Sequence, residues 1–160
     1  MRLGVVQRIL GLLLMLFSAT MLPPAVVAWF FQDGEASAFL YAFGFTICAG
    51  ILIWLPVRLQ LEELRLRDGF LIVAAFWLGL GSFGALPFLF MQAPAINFTD
   101  AMFESMSGLT TTGATVLTGL ETMPESLLYY RQQLQWLGGM GIIVLAVAVL
   151  PMLGVGGMQL

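Results

Sequence analysis

Four long apolar stretches without a charged side chain dominate this sequence of 160 residues. They cover residues 9–31, 39–57, 70–91 and 134–153. A transmembrane helix needs about 20 mostly apolar residues to cross about 30 Å of hydrocarbon, so each stretch is long enough to span a membrane. The sequence therefore predicts an all-α membrane protein with four transmembrane helices.

The first stretch has two readings. Arg2 and Arg8 precede the apolar run, which is also the pattern of a cleavable signal peptide. The run continues through Phe31, however, and three further stretches follow it, which favours a span that is retained. Pro23 and Pro24 are then expected to kink or end this helix near its outer end, because proline cannot continue the helical hydrogen bonding.

The composition excludes several classes of function. Apolar residues make up 60% of the chain and charged residues 9%, against about 45–50% and about 25% in soluble domains. The net charge is -3 and lysine is absent, so the basic face of a nucleic-acid-binding protein is missing and we predict no nucleic-acid partner. The lack of histidine and the single Cys48 exclude His or Cys metal clusters and an intramolecular disulfide. We expect no enzymatic activity and no bound organic cofactor.

Arginines predict the orientation of the spans. Five of the six fall before the first span or between the second and third: Arg2, Arg8, Arg58, Arg65 and Arg67. The opposite side has only Arg131 and carries most of the acidic residues. Because short cytoplasmic loops are enriched in basic residues, both chain ends are predicted to be cytoplasmic.

The segment between the third and fourth spans is too long for a simple connection. Pro94 closes the preceding helix, and apolar residues then recur at helical spacing from Phe98 to Gly108. A helix of about ten residues is too short to span a bilayer, which favours a re-entrant helix capped by Asn97 or Thr99. An amphipathic helix lying on the outer surface is the alternative.

After this short helix come uncharged small residues, Leu-Thr-Thr-Thr-Gly-Ala-Thr, at 109–115. Non-helical backbone at membrane depth persists only where protein buries it or it lines a watery path. The C-terminal end of the helix presents about half a negative charge, which favours a cation. Extended residues can turn backbone carbonyls towards that cation, and Gly113 relieves the steric conflict of the unusual φ that this requires. A potassium pore loop is therefore predicted, with a threonine-rich surface turn as the alternative.

Three segments carry a resemblance that extends over the whole chain: residues 64–70, 103–115 and 129–141. They resemble TrkH-type potassium uptake proteins of the Trk/Ktr/HKT superfamily. In that family one polypeptide carries four helix–pore-loop–helix units, and TrkH-type members place two helices before the first unit. The resemblance implies that residues 1–69 form the two leading transmembrane helices and a cytoplasmic loop. Residues 70–160 would form the first helix–pore-loop–helix unit.

The resemblance also implies ligands for the ion. Backbone carbonyls of Thr111, Thr112 and Gly113 map to the potassium ligands of the selectivity filter, with Thr110 and Ala114 as adjoining candidates. The implied function is potassium uptake across the bacterial inner membrane, of the symport type, with the N-terminus in the cytoplasm. Potassium is then the transported substrate. The implied partners are the lipid bilayer, a second full-length copy in a homodimer, and a cytoplasmic nucleotide-binding regulatory subunit of TrkA type.

The chain departs from the family in length, since three of the four pore units are missing. We therefore expect an N-terminal fragment that supplies about a quarter of the ion's coordination shell. The alternative is a non-conducting membrane scaffold, or an accessory fragment that associates with other pore subunits.

Two charged residues, Glu104 and Arg131, belong to the segments that carry the resemblance. Glu104 either holds the filter loop or strengthens the negative field at the outer mouth, or it is a wetted glutamate on an outer helix. Arg131 lies beside Tyr129 and Tyr130 and is predicted to be an interfacial anchor rather than an ion gate. The glycines between residues 79 and 84 have dinucleotide-binding spacing, but no strand precedes them, and we predict that they allow close helix packing.

Overall fold

The computed structural model describes residues 3–59 and 66–149, which are helical apart from short connections. The α-helices of these two ranges are α1 (Leu3–Ala19), α2 (Leu22–Phe31), α3 (Ala36–Trp54), α4 (Leu66–Gly84), α5 (Leu86–Phe90), α6 (Phe98–Leu109) and α7 (Glu125–Val149). Single 3-10 turns occupy Leu55–Val57 and Leu120–Thr122, and neither described range contains a β-strand. The predicted all-α fold class is confirmed. Arg2, Arg65, the side chain of Arg67 and residues 150–153 of the fourth predicted span lie outside the described residues.

Three segments of the described chain are long and apolar enough to cross a membrane: Leu3–Phe31, Ala36–Val57 and Gly69–Phe90. They match the first three predicted spans. The first is interrupted after Ala19, and Pro23 and Pro24 lie in the first turn of α2. The predicted effect of these prolines is confirmed, since proline suits a first turn but cannot donate to a continuous helix. A similar break at Ala85, before Pro87, separates α4 from α5.

The fourth predicted span is part of a longer helix. α7 begins at Glu125, nine residues before the predicted start at residue 134. The sequence concealed these first turns because Arg131, Gln132 and Gln133 interrupt the apolar pattern. The helix nevertheless enters the protein there, because Arg131 has a partner on α6 and Gln133 has one in the α1–α2 break.

Tyr130 lies at the centre of the packing between α3, α5 and α7. Its side chain is fully buried, and its ring makes an edge contact with Phe39 at 5.5 Å between centroids. A second, tilted contact joins it to Phe88 at 5.3 Å. Aromatic pairs at these separations add about 0.5–1.5 kcal/mol to the effect of burial alone. The N-terminal half of α7 is thereby fixed against α3 and α5.

Side chains from α7 satisfy the carbonyls that both helix breaks release. The Tyr130 hydroxyl donates to the Gly84 carbonyl at 2.9 Å, beside the α4–α5 break. The Gln133 side-chain amide donates to the Thr20 carbonyl at 2.5 Å, in the α1–α2 break. Backbone groups freed at membrane depth have no water to replace their partners, so such contacts allow the breaks to persist.

Carboxylates bind the connections at one end of the bundle. Glu35 is buried and accepts backbone N–H bonds from Gln92 and Ala93, the latter at 3.0 Å. Asp33 accepts from the Ser126 N–H at 3.1 Å, in the first turn of α7, where a negative charge suits the helix dipole. These bonds join the α2–α3 connection to the segments before α6 and at the start of α7.

The opposite end of the bundle holds the first turns of α1 and the last turn of the second span. The Gln7 side chain donates to the Ile53 carbonyl at 2.9 Å. Arg8 and Arg58 follow these two residues in the chain, so the two arginines lie at the same end. Asp33 and Glu35, in the connection between α2 and α3, lie at the other end.

Replacing Tyr130 with phenylalanine tests whether the Gly84 carbonyl needs its partner. The Tyr130→Phe variant keeps the ring but leaves a buried carbonyl unpaired, so we expect a loss of about 1–3 kcal/mol in unfolding free energy. Thermal unfolding of a full-length protein containing this chain, in detergent, measures the effect. Tyr129→Phe is the matched control because Tyr129 is 43% exposed. Equal melting temperatures for the two variants would contradict the assignment.

Candidate functional site

The short helix α6 begins at a side-chain cap. Asn97 has extended backbone, and its side chain accepts the Asp100 N–H at 2.9 Å. Asp100 itself lies in the first turn, where a carboxylate is favourable beside the positive end of the helix dipole. Of the two predicted caps, Asn97 is the one used. The helix has 12 residues and is about 18 Å long, too short to span a membrane.

The helix α6 packs between α4 and α7 rather than lying on the surface. Its buried residues are Ala101, Glu104, Ser105, Ser107, Gly108 and Leu109. The Ser105 hydroxyl donates to the Gly81 carbonyl of α4 at 2.8 Å. A surface helix would bury one apolar stripe, whereas here the buried face includes a carboxylate and two hydroxyls. The structure therefore agrees with the re-entrant prediction and contradicts the surface alternative.

Glycines let the neighbouring helices approach α6. A Cβ on Gly84 would lie 2.5 Å from the Ser105 hydroxyl oxygen, and one on Gly81 would overlap the Met106 side chain. On the other side, a Cβ on Gly138 of α7 would overlap the carbonyl group of Leu109. The C-terminal end of α6 thus rests directly on the α7 backbone. Close packing was predicted for the glycines of α4, and Gly81 and Gly84 confirm it.

The loop after α6 has left-handed backbone at alternate residues. Thr111 has φ 58° and Gly113 has φ 72°, whereas Thr112 between them does not have positive φ. This conformation is easy for glycine but strains the β-branched Thr111 by about 1–3 kcal/mol. The N–H of Thr111 donates to the Gly108 carbonyl at 2.9 Å, and that of Thr112 donates to the Ser107 carbonyl at 3.0 Å. The end of α6 therefore imposes the strained backbone.

The five candidate ligand carbonyls fall into two groups. The flanking carbonyls are engaged, since Thr110 accepts from the Thr111 hydroxyl at 2.7 Å and Ala114 accepts from the Ser107 hydroxyl at 2.6 Å. The carbonyl oxygens of Thr111, Thr112 and Gly113 accept no hydrogen bond from the described residues. All five residues are exposed in this chain. The three central carbonyls thus remain available to an ion.

Glu104 binds the outer end of the loop. Its side chain is buried, and its Oε1 accepts the Thr115 hydroxyl at 2.6 Å and the Val116 N–H at 2.8 Å. Its Oε2 pairs with the Arg131 Nε at 2.9 Å. These contacts bear on the roles that the sequence left open for Glu104. It holds the loop, and the interpretation as a wetted surface glutamate is wrong.

Arg131 is not the interfacial anchor that the sequence predicted. It is 7% exposed and its side chain points into the protein, towards α6. The neighbouring tyrosines gave the misleading signal, because their type is common at membrane interfaces. Its partner is 27 residues earlier in the chain, and sequence spacing does not show that the two meet.

Three further residues of the site were not singled out from the sequence. Ser107 and Thr115 each contribute a hydroxyl that fixes the loop. Gln135 of α7 approaches Gly113, since a Cβ on this glycine would lie 3.9 Å from the Gln135 side-chain amide. The only signal for Gln135 was a polar residue inside an otherwise apolar stretch.

A cation at this site would rely on the backbone. Within the described residues, no group of three or more His, Cys, Asp or Glu side chains could hold a metal ion. Backbone carbonyls are the ligands that potassium filters use in place of water. The loop carbonyls are therefore the candidate ligands at this site.

Comparison with known proteins agrees with this geometry. The TrkH family model, described as a cation transport protein, matches residues 35–160. The Trk system potassium uptake protein TrkH of Halomonas elongata is 61% identical over 160 residues, which cover all of this chain and 33% of that protein. Its counterpart in Escherichia coli is 57% identical over 155 residues, which are 97% of this chain and 32% of that protein.

A solved structure is also similar. The crystal structure of the potassium transporter TrkH from Vibrio parahaemolyticus superposes with a TM-score of 0.92 at 56% identity, over 99% of this chain and 34% of that one. The chain thus spans about a third of the length of the relatives that it matches.

Adding a methyl group at Gly138 tests the contact between α7 and the end of α6. In Gly138→Ala the new Cβ would collide with the Leu109 carbonyl, so we expect a loss of about 1–3 kcal/mol in unfolding free energy. Gly141→Ala is the matched control on the same helix, since no atom lies within 4 Å of its Cβ position. Denaturant unfolding of the full-length protein in detergent measures both. A Gly138→Ala variant as stable as Gly141→Ala would show that the close approach is not needed.

Proposed function

Because this chain belongs to the TrkH family of cation transport proteins, we propose that it is the N-terminal part of a protein that takes up potassium across the bacterial inner membrane. The family transports ions and is not a family of enzymes. Residues 1–69 form the leading helix pair with a cytoplasmic loop, and residues 70–160 form the first helix–pore-loop–helix unit. Relatives about three times as long support a ring that further units complete.

One observation carries the proposal: the central loop carbonyls lack partners while the flanking carbonyls have them. Thr111, Thr112 and Gly113 can turn their oxygens to an ion without breaking a hydrogen bond of the described fold. The bonds to Thr110 and Ala114 set the limits of this filter and remove these two residues from its centre. Selectivity then depends on how many such carbonyls surround the dehydrated ion and how firmly they are held.

The electrostatics favour entry of a cation. The C-terminal end of α6 directs about half a negative charge towards the loop. A membrane potential of 100 mV contributes about 2.3 kcal/mol for each monovalent ion that moves inward. No acidic residue lies inside a predicted span to act as an obvious proton relay, so the family resemblance is the sole support for symport.

The distribution of charge supports a cytoplasmic N-terminus. Arg8 and Arg58 lie at one end of the bundle, and Asp33 and Glu35 lie at the other. The basic end faces the cytoplasm by the positive-inside rule, which places the acidic end and the entrance to the loop outside. The homodimer of the full-length protein and the regulatory subunit of TrkA type rest on the family resemblance.

Substitution of Gly113 tests the filter. Gly113→Ala forces a side chain into left-handed backbone, which costs about 1–2 kcal/mol, so we expect potassium uptake to fall about tenfold or to lose selectivity. Uptake is measured in proteoliposomes containing a full-length protein that carries this chain. Gly119→Ala is the matched control, because Gly119 also has φ 72° but lies beyond the filter.

The comparison has clear outcomes. Reduced or unselective uptake in Gly113→Ala, with normal uptake in Gly119→Ala, supports the assignment. Unchanged potassium uptake and selectivity in Gly113→Ala would remove Gly113 from the filter. Absence of potassium uptake by the unmodified protein would contradict the proposed function and favour a non-conducting scaffold.

A further inference from the structure

The ion pair between Glu104 and Arg131 is buried inside the protein. The two side chains are 1% and 9% exposed, and Arg131 Nε lies 2.9 Å from Glu104 Oε2. Removing two charges from water is expensive, and a buried ion pair is often no more stabilising than apolar residues of the same volume. A pair kept at such a site is therefore a candidate for a role in positioning.

Within the part of the chain that the structure describes, the Glu104 carboxylate contacts hydrogen-bond donors at both of its oxygens. Oε1 accepts the Thr115 hydroxyl and the Val116 N–H, while Oε2 accepts the Arg131 Nε–H. These contacts require that both terminal atoms of the side chain accept hydrogen bonds, and the two oxygens of a carboxylate do so. A glutamine would direct its NH2 group either at the guanidinium or at the loop. An ionised Glu104 can thus accept hydrogen bonds from the loop and from Arg131 at the same time.

These contacts anchor one end of the filter loop. At its start, the loop is held by N–H bonds from Thr111 and Thr112 to carbonyls at the end of α6. At its other end, Thr115 and Val116 directly follow the filter and are bound to Glu104, one helical turn before Gly108. The three free carbonyls lie between these anchors. Movement of the second anchor changes where those carbonyls point.

Arg131 acts through Glu104 and has a rigid base. Its neighbour Tyr130 is fully buried and hydrogen-bonded to Gly84, and Leu134 one turn later is also fully buried. Tyr130 therefore fixes this turn of α7 to α4, and the Arg131 guanidinium extends from this fixed turn. It holds the carboxylate in the orientation that Thr115 and Val116 require.

We propose that Glu104 and Arg131 are positioning residues that set the potassium selectivity of this filter loop, by fixing its outer end to α6 and α7. This proposal rests on the proposed function, since it assumes that residues 111–113 bind the ion. It adds a determinant of specificity that does not touch the ion. The discrimination between K⁺ and Na⁺ then depends on an ion pair behind the loop.

The first test compares two buried carboxylates in a full-length protein that carries this chain. Glu104→Gln replaces one acceptor with a donor, and we expect the ratio of K⁺ to Na⁺ uptake in proteoliposomes to fall about tenfold. Glu35→Gln is the matched control. Glu35 is also buried and accepts backbone N–H bonds, but from Gln92 and Ala93, outside the filter loop. A structural defect alone would lower the amount of folded protein in both variants and leave both ratios unchanged.

The second test separates positioning from folding at Arg131. Arg131→Lys keeps a cation within reach of Glu104, and we expect it to keep the wild-type ratio, whereas Arg131→Met should lower the ratio as Glu104→Gln does. The double variant Glu104→Met with Arg131→Met leaves no unpaired buried charge, so we expect more folded protein than with Arg131→Met alone. Its K⁺ to Na⁺ ratio should remain low.

The outcomes distinguish this proposal from the one on which it rests. If the unmodified protein takes up no potassium, the proposed function fails. If it takes up potassium selectively and Glu104→Gln or the double variant has the wild-type ratio, the positioning role is overturned while the proposed function stands. A ratio that falls equally in Glu35→Gln would also overturn it, because the effect would then not be specific to the filter loop.

Discussion

Backbone groups that leave a helix at membrane depth need partners from the protein itself, and this requirement organises the molecule. Membrane interiors offer no water to an exposed carbonyl or N–H. The described chain leaves regular helix within its spans at the α1–α2 and α4–α5 breaks, and again after α6. Gln133 and Tyr130 supply partners at the two breaks, and Ser107 and Glu104 supply them for the loop.

The outer half of α7 connects these places. Tyr130, Arg131 and Gln133 are close together in the chain, yet each reaches a different element. Further along the same helix, Leu134 and Gly138 meet the end of α6. This helix is polar where a lipid-facing helix would be apolar, because its polar groups face other parts of the protein. Its side chains contact the α1–α2 and α4–α5 breaks, and its backbone contacts the end of α6, where the loop begins.

The loop combines a strained backbone conformation with a set of carbonyl groups of which only some accept hydrogen bonds. Left-handed backbone at Thr111 is unfavourable, but neighbouring N–H bonds to α6 hold it. The carbonyls of Thr110 and Ala114 accept hydrogen bonds, whereas the three central carbonyls accept none from the described residues. In the proposed filter, groups held in this way would replace water around an ion with little rearrangement. The buried carboxylate of Glu104 bonds to Thr115 and Val116 and pairs with Arg131, so the proposed role of these charges is to position the loop.

The sequence by itself determined the all-α fold, the first three spans and the position of the loop after α6. These follow from local properties: apolar length, the placement of proline, the cap at Asn97 and the small uncharged residues at 109–115. Such signals arise from each residue's preference for water or lipid and from its neighbours in the chain, so they can be recognised in the sequence alone. The true start of α7 was missed because its polar residues resemble a connection when their partners are not known.

Only the tertiary structure decided what the polar residues do. It paired Glu104 with Arg131 across 27 positions, and it turned a predicted interfacial arginine into a support for the loop. It also showed which loop carbonyls are engaged and which are free. Hydrogen bonds and ion pairs between residues far apart in the chain depend on how the helices pack. The spacing of residues along one sequence does not show which of them will meet. The residue types at the site were thus visible in advance, but their partners were not.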